Sequence, residues 1–154
     1  MKLLLFSLLV FLTGCISMRD ATVEQMKHEY VNEFPNMSKT DIYNKCIRWI
    51  GINLKSSKNV IDVNDKESGT IIAKAYTNID FRMNYSAFVS FSLMIDIKEN
   101  KARFRFVPTG FTDKYNNDSP FPEWADWHLT VKERFDSAVE SLSKFIATKD
   151  EFLN

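Results

Sequence analysis

The clearest pattern in the chain is an alternation of apolar and polar residues in two neighbouring segments. Between residues 86 and 98 every second residue is apolar, from Ala87 to Ile97, and the alternation returns between 102 and 107. Successive side chains of a strand point to opposite faces, so this period predicts two strands with one buried face each. The segment "ENK" predicts a turn between them, and Pro108 predicts the end of the second strand.

Weaker signals predict three further strands earlier in the chain. The segment "HEYVNEF", 28–34, alternates imperfectly and stops at Pro35. The segments "VIDV", 60–63, and "TIIAKAY", 70–76, flank the turn "NDKESG", in which Gly69 can adopt a positive φ without steric cost. They predict a first strand and, after an intervening helix, a hairpin.

Two segments with a helical period predict two amphipathic helices. The first begins after Ser38, a typical N-cap residue, with Asp41 at the third helical position. Its apolar stripe comprises Ile42, Cys46, Trp49, Ile50 and Leu54. The second is predicted to begin at Thr130, with Glu133 completing a capping box. Its stripe comprises Val131, Phe135, Ala138, Val139, Leu142, Phe145 and Ile146. The segment 109–128 before it is predicted to be a long loop.

The element order β-α-β-β-β-β-α predicts an α+β domain over residues 28–148, followed by a frayed tail at 149–154. The sheet is expected to be antiparallel, with both helices on one face. The expected core comprises Trp49, Ile50, Phe91, Phe104, Phe135 and Leu142. The other face is expected to be open to solvent and to carry Lys74, Tyr76, Ser90, Ser92, Arg103 and Arg105.

The N-terminus predicts a membrane location. Lys2 precedes an uncharged apolar run over residues 3–12. This run is too short to span a bilayer and is typical of the hydrophobic region of a secretory signal. It ends on "LTGC", 12–15, which resembles the lipobox of bacterial lipoproteins. The resemblance implies cleavage before Cys15 and acylation of its thiol, which would anchor the protein through lipid.

On this interpretation residues 1–14 are a signal peptide and residues 15–27 are a lipidated N-terminus and tether. The alternative is an ordinary secretory signal that happens to end near a cysteine. Ile16 stands where an aspartate would be the usual signal for inner-membrane retention. This favours the outer membrane, facing the periplasm or the cell surface. No later window is apolar enough to span a membrane.

Composition limits the classes of function. The chain has 20 basic and 20 acidic residues, so no overall charge attracts it to nucleic acid. Cys46 has no partner in the chain once Cys15 carries lipid, which excludes an internal disulfide. The length that remains after cleavage suits one domain with its own hydrophobic core.

The segment "SKTDIYNKCIRWIGINLKSSKNVIDVNDKESGTIIAKA", 38–75, resembles an uncharacterised bacterial lipoprotein family, a domain of unknown function with a TATA-binding-protein-like fold. The matching residues are Trp49, Asp65, Glu67, Gly69, Ile71, Ile72 and Lys74, and the later "IDIKENKARFRF" is also similar. The resemblance extends over roughly residues 30–148 by element order. Ala73 stands where the family usually has glycine. The resemblance implies the fold and the envelope location, but the fold name does not imply DNA binding.

Few residues suggest chemistry. His28 and His128 lie far apart in sequence and outside metal-ligand spacings, so we interpret them as surface or loop histidines. Cys46 lies on an apolar stripe and is expected to be a small buried residue instead of a nucleophile. The segment "DKYNNDS" offers the oxygen ligands Asp113, Asn116, Asn117 and Asp118 but lacks EF-hand spacing, which favours a turn. No metal and no cofactor are expected.

Two groups of residues are candidates for binding. The aromatic residues of the 109–128 loop could anchor a partner or seal the end of the core, and sealing is favoured. They are Phe111, Tyr115, Phe121, Trp124 and Trp127. The cations Lys74, Arg103 and Arg105 could bind an anion or a partner, or could belong to a solvated face, which is favoured.

The leading hypothesis is a lipid-anchored envelope domain that contacts an envelope protein and catalyses no reaction. The alternative is a small-molecule or anion binding module that uses the open sheet face and the 109–128 loop. An envelope hydrolase is disfavoured because no nucleophile–base pattern is present.

Overall fold

A computed structural model describes residues 19–54, 60–81, 85–113 and 115–148. The predictions for the signal peptide, for Cys15 and for the tail at 149–154 lie outside these residues.

The described elements follow the predicted order, with a short helix added at the start and a short strand added late in the chain. They are α1 Val23–Met26, β1 Glu29–Glu33, α2 Lys39–Asn53, β2 Ile61–Asp65, β3 Thr70–Phe81, β4 Tyr85–Lys98, β5 Lys101–Asp113, β6 Asp118–Ser119 and α3 Ala125–Ala147. Among the helices of the described segments, none combines the length and the apolar character needed to cross a bilayer.

The strands form one antiparallel sheet in the order β1-β5-β4-β3-β2, with β6 added beside β5. The two long hairpin pairings, β3 with β4 and β4 with β5, form its centre. The helices α2 and α3 pack against each other and against one face of the sheet. The predicted α+β class and antiparallel architecture are confirmed.

The core lies between the sheet and these two helices. The side chains that alternate inward along β4, from Ala87 to Ile97, are all buried. All six predicted core residues have at most 4% of their surface exposed: Trp49, Ile50, Phe91, Phe104, Phe135 and Leu142. Phe135 of α3 stacks on Phe106 of β5, with 4.5 Å between ring centroids, and contacts Phe91 edge-on.

The prediction that Pro108 ends the second clear strand is wrong, because β5 continues to Asp113. The pairing of β4 with β5 shifts between Phe91–Pro108 and Ser90–Gly110, which leaves Thr109 as an extra residue. This is a β-bulge, one of the places where a sheet tolerates proline.

The predicted start of the last helix at Thr130 and the predicted loop at 109–128 are also wrong. β5, β6 and α3 take up most of that loop, and α3 already begins at Ala125. Thr130 does not cap the helix, since its hydroxyl donates to the carbonyl of Asp126 at 2.8 Å. The N–H of Ala125 instead donates to the carbonyl of Arg19 at 2.9 Å, so a distant segment satisfies a donor at the helix start.

The predicted start of α2 is confirmed. The N–H of Asp41 donates to the hydroxyl of Ser38 at 3.1 Å, which is the N-cap bond that the sequence indicates. Both partners of this bond lie within one turn, so the sequence could indicate it, whereas the N–H of Lys39 at the same helix start donates to the distant carboxylate of Glu99 at 3.1 Å.

Candidate functional site

The sheet face opposite α2 and α3, here called the open face, carries the side chains that were predicted to point outward. Lys74, Tyr76, Ser90 and Arg103 are exposed, and Arg105 is half-buried. The strand register places Lys74 beside Ser92, and Tyr76 beside Ser90. Alternation along the strands therefore located these residues correctly.

A shallow depression of ≈ 370 Å³ lies on this face. It is lined by Lys74, Ala75, Tyr76, Ser90, Phe91, Ser92 and Thr109. The small serine side chains of β4 form its floor between larger neighbours on β3 and β5. Thr109, the extra residue of the β-bulge next to Pro108, also lines the depression, so this irregularity helps to shape it.

Exposed apolar side chains stand around the depression. Tyr76 and Phe88 meet edge-to-face, with 5.8 Å between ring centroids, and expose 47% and 49% of their surfaces. Val107 pairs with Ser92 across the neighbouring strand and is 45% exposed. Phe88 and Val107 were not predicted as binding residues from the sequence. The available signal was an apolar residue at an outward strand position, where polar residues are the norm.

The three cations of the open face do not converge. Lys74 forms an ion pair with Asp62 on the edge strand β2 at 3.0 Å. Arg103 and Arg105 share the carboxylate of Asp96, at 2.7 and 3.3 Å. The hydrogen bond and the charge of Asp96 raise the pKa of Arg103. Each cation thus contacts a carboxylate, although the two arginines share one, and this engagement weakens the case for a general anion site.

Three aromatic residues of the segment predicted to be a loop, Phe111, Phe121 and Trp127, pack on the helix-covered side of the sheet. Phe111 pairs with the buried Val89, and its ring lies 4.7 Å from that of Trp127. Phe121 contacts Trp127 from another side, at 5.7 Å between centroids. These three half-buried rings seal the end of the core, which is the interpretation favoured from the sequence, whereas Tyr115 is 71% and Trp124 36% exposed. The structure therefore does not unite Trp124 and Trp127 with the cations of the open face.

The Asp–Asn segment forms a turn. Asp113 Oδ1 accepts hydrogen bonds from the backbone N–H groups of Tyr115 at 2.8 Å and Asn117 at 2.9 Å, and Asn116 has a φ of 64°. The carboxylate of Asp113 therefore closes the turn. In residues 19–54, 60–81, 85–113 and 115–148, His, Cys, Asp and Glu nowhere form a group of three that could hold a metal ion.

The interpretation of His28 and His128 as surface or loop histidines is wrong. His28 is 3% exposed and His128 6% exposed, and the rings are stacked with 5.4 Å between centroids. Nε2 of His28 lies 3.1 Å from Nδ1 of His128, within hydrogen-bond distance. His28 immediately precedes β1, and His128 lies in the first turns of α3, so only the tertiary fold brings them together.

The surroundings of this histidine pair favour neutral rings. Burial, together with the nearby His128 and Lys132, lowers the pKa of His28 to about 4. Burial also lowers the pKa of His128. A hydrogen bond between two neutral imidazoles needs one ring to donate and the other to accept. The pair is therefore a buried structural link between the N-terminal segment and α3.

A polar cluster adjoins the histidine pair. The hydroxyl of Tyr30 donates to Asp136 at 2.6 Å, and Lys132 donates to both oxygens of the same carboxylate at 2.8 Å. Burial acts to raise the pKa of Asp136, but the hydrogen bonds from Lys132 and Tyr30 outweigh it and hold that pKa below its usual value. The cluster fastens β1 to α3.

Cys46 is fully buried in α2, and burial raises the pKa of its thiol to about 12. The thiolate is the nucleophilic form of cysteine, so this thiol is unreactive near neutral pH. The prediction of a small buried residue is confirmed.

A family model described as a domain of unknown function (DUF4468) with TBP-like fold matches residues 29–109. A DUF4468 family protein from Bacteroides ovatus has a similar crystal structure, with a TM-score of 0.67 and 14% identity over 86% of this chain and 92% of that chain. A TBP-like protein from Parabacteroides distasonis has a TM-score of 0.63 and 12% identity over 84% of this chain and 99% of that chain. These likenesses concern the fold, and they agree with the resemblance found in the sequence. A comparison with curated proteins gives no match.

Proposed function

This chain belongs to the DUF4468 family, a domain of unknown function with a TBP-like fold, and on that premise we propose that it is a lipid-anchored protein of the bacterial envelope that binds an envelope protein through its open face and catalyses no reaction. The anchor rests on the "LTGC" segment, with Cys15 as the acylated residue. Ile16 favours the outer membrane as the location.

The observation that carries the binding proposal is the exposed apolar group around the depression. Tyr76, Phe88 and Val107 each expose 45–49% of their surfaces at positions where a solvated strand normally carries polar side chains. Covering such groups removes apolar surface from water, which favours association. Aromatic residues are enriched where proteins bind one another, and grouped exposed apolar residues mark interaction sites.

The remaining groups favour binding over catalysis. The cations of the open face are engaged with Asp62 and Asp96. Cys46, whose thiol pKa is about 12, and the buried histidine pair lie on the helix-covered side, away from the depression. A partner that places an apolar side chain against Tyr76 and Val107 matches what the face offers.

Site-specific photo-crosslinking in the bacterial host tests this proposal. A photoreactive amino acid replaces Phe88 or Val107 in the full-length protein. A matched control carries it at Ile52, which is 66% exposed on α2. We expect the 88 and 107 variants to give the same discrete adduct with one envelope protein and the 52 variant to lack it. No adduct at either open-face position, or the same adducts at all three, would contradict the proposal.

A second candidate, a small-molecule or anion binding module, is favoured by one observation. The depression of ≈ 370 Å³ falls within the ≈ 300–1,000 Å³ range of ligand pockets, and hydroxyl groups and Lys74 line it. The geometry confines this candidate to the open face, because Trp124 and Trp127 lie on the other side of the sheet. Inorganic phosphate is a suitable probe: it should raise the Tm of wild type and of Lys98→Met but not of Lys74→Met. An equal response in all three proteins excludes this site.

A further inference from the structure

Residues 19–21, which belong to the predicted tether, are attached to the domain. The N–H of Ala21 donates to the carbonyl of Glu123 at 2.6 Å, and the carbonyl of Arg19 accepts from Ala125 at 2.9 Å. Asp20 pairs with Trp124 in an isolated antiparallel bridge. Ala21 is 8% exposed. Residues 19–21 therefore lie along the start of α3 like a short extra strand.

This attachment limits the distance between the domain and a lipid on Cys15. Only four residue steps separate Cys15 from Arg19, and an extended chain spans at most about 14 Å over that length. If Cys15 carries the lipid, as proposed above, the bilayer surface lies close to the start of α3. The anchor thus selects one end of the molecule, which we call the anchor end: residues 19–27 together with residues 123–129.

The anchor end exposes three large apolar side chains. Val23 is 84% exposed, Leu129 48% and Trp124 36%. Trp124 pairs directly with Asp20, and Val23 begins α1, which packs against α3. Leu129 follows Ala125 by four residues and so lies on the same side of the helix as the residue that binds Arg19. All three surround the point where the N-terminal segment meets α3.

We propose that the anchor end seats on the lipid bilayer, with Val23, Trp124 and Leu129 entering the interfacial region. Tryptophan prefers the membrane–water interface, where its ring contacts both apolar and wet surroundings. The short reach from Cys15 holds these side chains near the lipid. The inference rests on the proposed lipid anchor and adds an orientation to it.

The charges of the anchor end indicate which lipids it suits. The exposed carboxylates are Asp20, Glu24, Glu123 and Asp126, and the exposed cations are Arg19 and Lys27. This surface has no excess of positive charge for anionic headgroups. The contact is therefore apolar, it forms on zwitterionic bilayers, and added salt does not weaken it.

Fluorescence quenching by brominated lipid tests the seating. The mature chain starting at Cys15 is coupled through that thiol to a maleimide phospholipid, which spares the buried Cys46. The protein is then bound to phosphatidylcholine vesicles that contain brominated acyl chains. We expect tryptophan fluorescence to be quenched in wild type, at low and high salt alike. The quenching should fall in Trp124→Phe, where the half-buried Trp127 of the anchor end accounts for any remainder, while Trp49, in the core, contributes nothing to it.

Two further variants separate contact from folding. Val23→Ser and Leu129→Ser should each reduce the quenching, whereas Ile52→Ser, a matched exposed aliphatic on α2, should not. Circular dichroism establishes that each variant is folded. Quenching that is absent in folded wild type on the vesicles, or that is equal in Trp124→Phe, overturns the seating. Because the lipid is attached chemically, this result is independent of whether cells acylate Cys15, which fatty-acid labelling decides separately.

Discussion

The side chains of His28 and His128 meet inside the protein, with 3.1 Å between Nε2 and Nδ1, although 100 residues separate them along the chain. His28 stands at the junction between the N-terminal segment and β1, and its carbonyl accepts a hydrogen bond from the N–H of Phe106 at 2.9 Å. His128 lies one turn inside α3. The pair therefore joins the anchor end to the core, and its protonation couples stability to pH.

We predict that the protein loses stability as the pH falls from about 6.5 to about 4. The unfolded chain binds a proton at His28 near pH 6.5, whereas burial lowers its folded pKa to about 4. Across this window the unfolded state binds more protons, so acid favours unfolding, by up to about 3 kcal/mol for this group. Urea unfolding at pH 7.5 and pH 4.5 measures the difference.

His28→Gln should show a smaller loss of stability over the same pH range, whatever its stability at pH 7.5. The charged neighbours Lys132 and Asp136 and the nearby Glu123 remain in this variant, and the pKa of Asp136 is held below its usual value, so its titration falls below the window. An unchanged pH dependence in His28→Gln would show that other groups cause the acid sensitivity.

Phe104→Ala should lower the free energy of unfolding by about 3–5 kcal/mol, because Phe104 is fully buried and its removal leaves a cavity between sheet and helices. Val31→Ala is the control: Val31 is 62% exposed on the adjacent edge strand β1 and pairs with Arg103, a neighbour of Phe104. It should change stability by no more than about 0.5 kcal/mol. Equal effects of the two changes would remove Phe104 from the core.

Cys46 should react very slowly with thiol reagents in the folded protein and rapidly in urea. In Cys15→Ala it is the remaining cysteine of the chain, so labelling reports on it alone. Its raised thiol pKa of about 12 and its burial both suppress the reactive thiolate. The control Cys15→Ala/Cys46→Ser/Ile52→Cys places a thiol at an exposed position of the same helix, and it should react quickly without urea. Similar rates for both would contradict the burial of Cys46.

Cys15→Ala should abolish lipidation in a bacterial host. Wild type is expected to incorporate a fatty-acid probe and to fractionate with membranes, because two or more acyl chains hold a protein stably to a bilayer. Metabolic labelling followed by membrane fractionation measures both properties. A Cys15→Ala protein that still incorporates the probe would refute acylation at this residue.

The positions of the candidate site residues on the open face could be predicted because a strand has a period of two. Lys74, Tyr76, Arg103 and Arg105 all point outward as their neighbours require. Their ion-pair partners could be identified only once the strand register was known. The tight turn at Glu99 and Asn100 pairs Asp96 with Arg103, and the neighbouring Arg105 reaches the same carboxylate. The Lys74–Asp62 pair depends on an irregularity in the β2–β3 pairing.

The sequence by itself determined those features whose causes lie within a few residues of one another. The alternation along β4, the apolar stripe of α2 and the N-cap bond of Ser38 with Asp41 are local, so pattern and geometry agree. The order of elements followed from the same signals. Since an alternating sheet has one face to bury and the helices have one apolar side each, the layered architecture followed as well.

Only the tertiary structure decided the features whose partners are distant in sequence. At the start of α3, the N–H of Ala125 donates to the carbonyl of Arg19, far earlier in the chain. β5 continues past Pro108 because a bulge against β4 accommodates the residue that local rules treat as a stop. His28 and His128 are buried because β1 and α3 pack together. In each case the contacting residues are far apart in sequence, so the spacing of residues along the chain does not predict the contact.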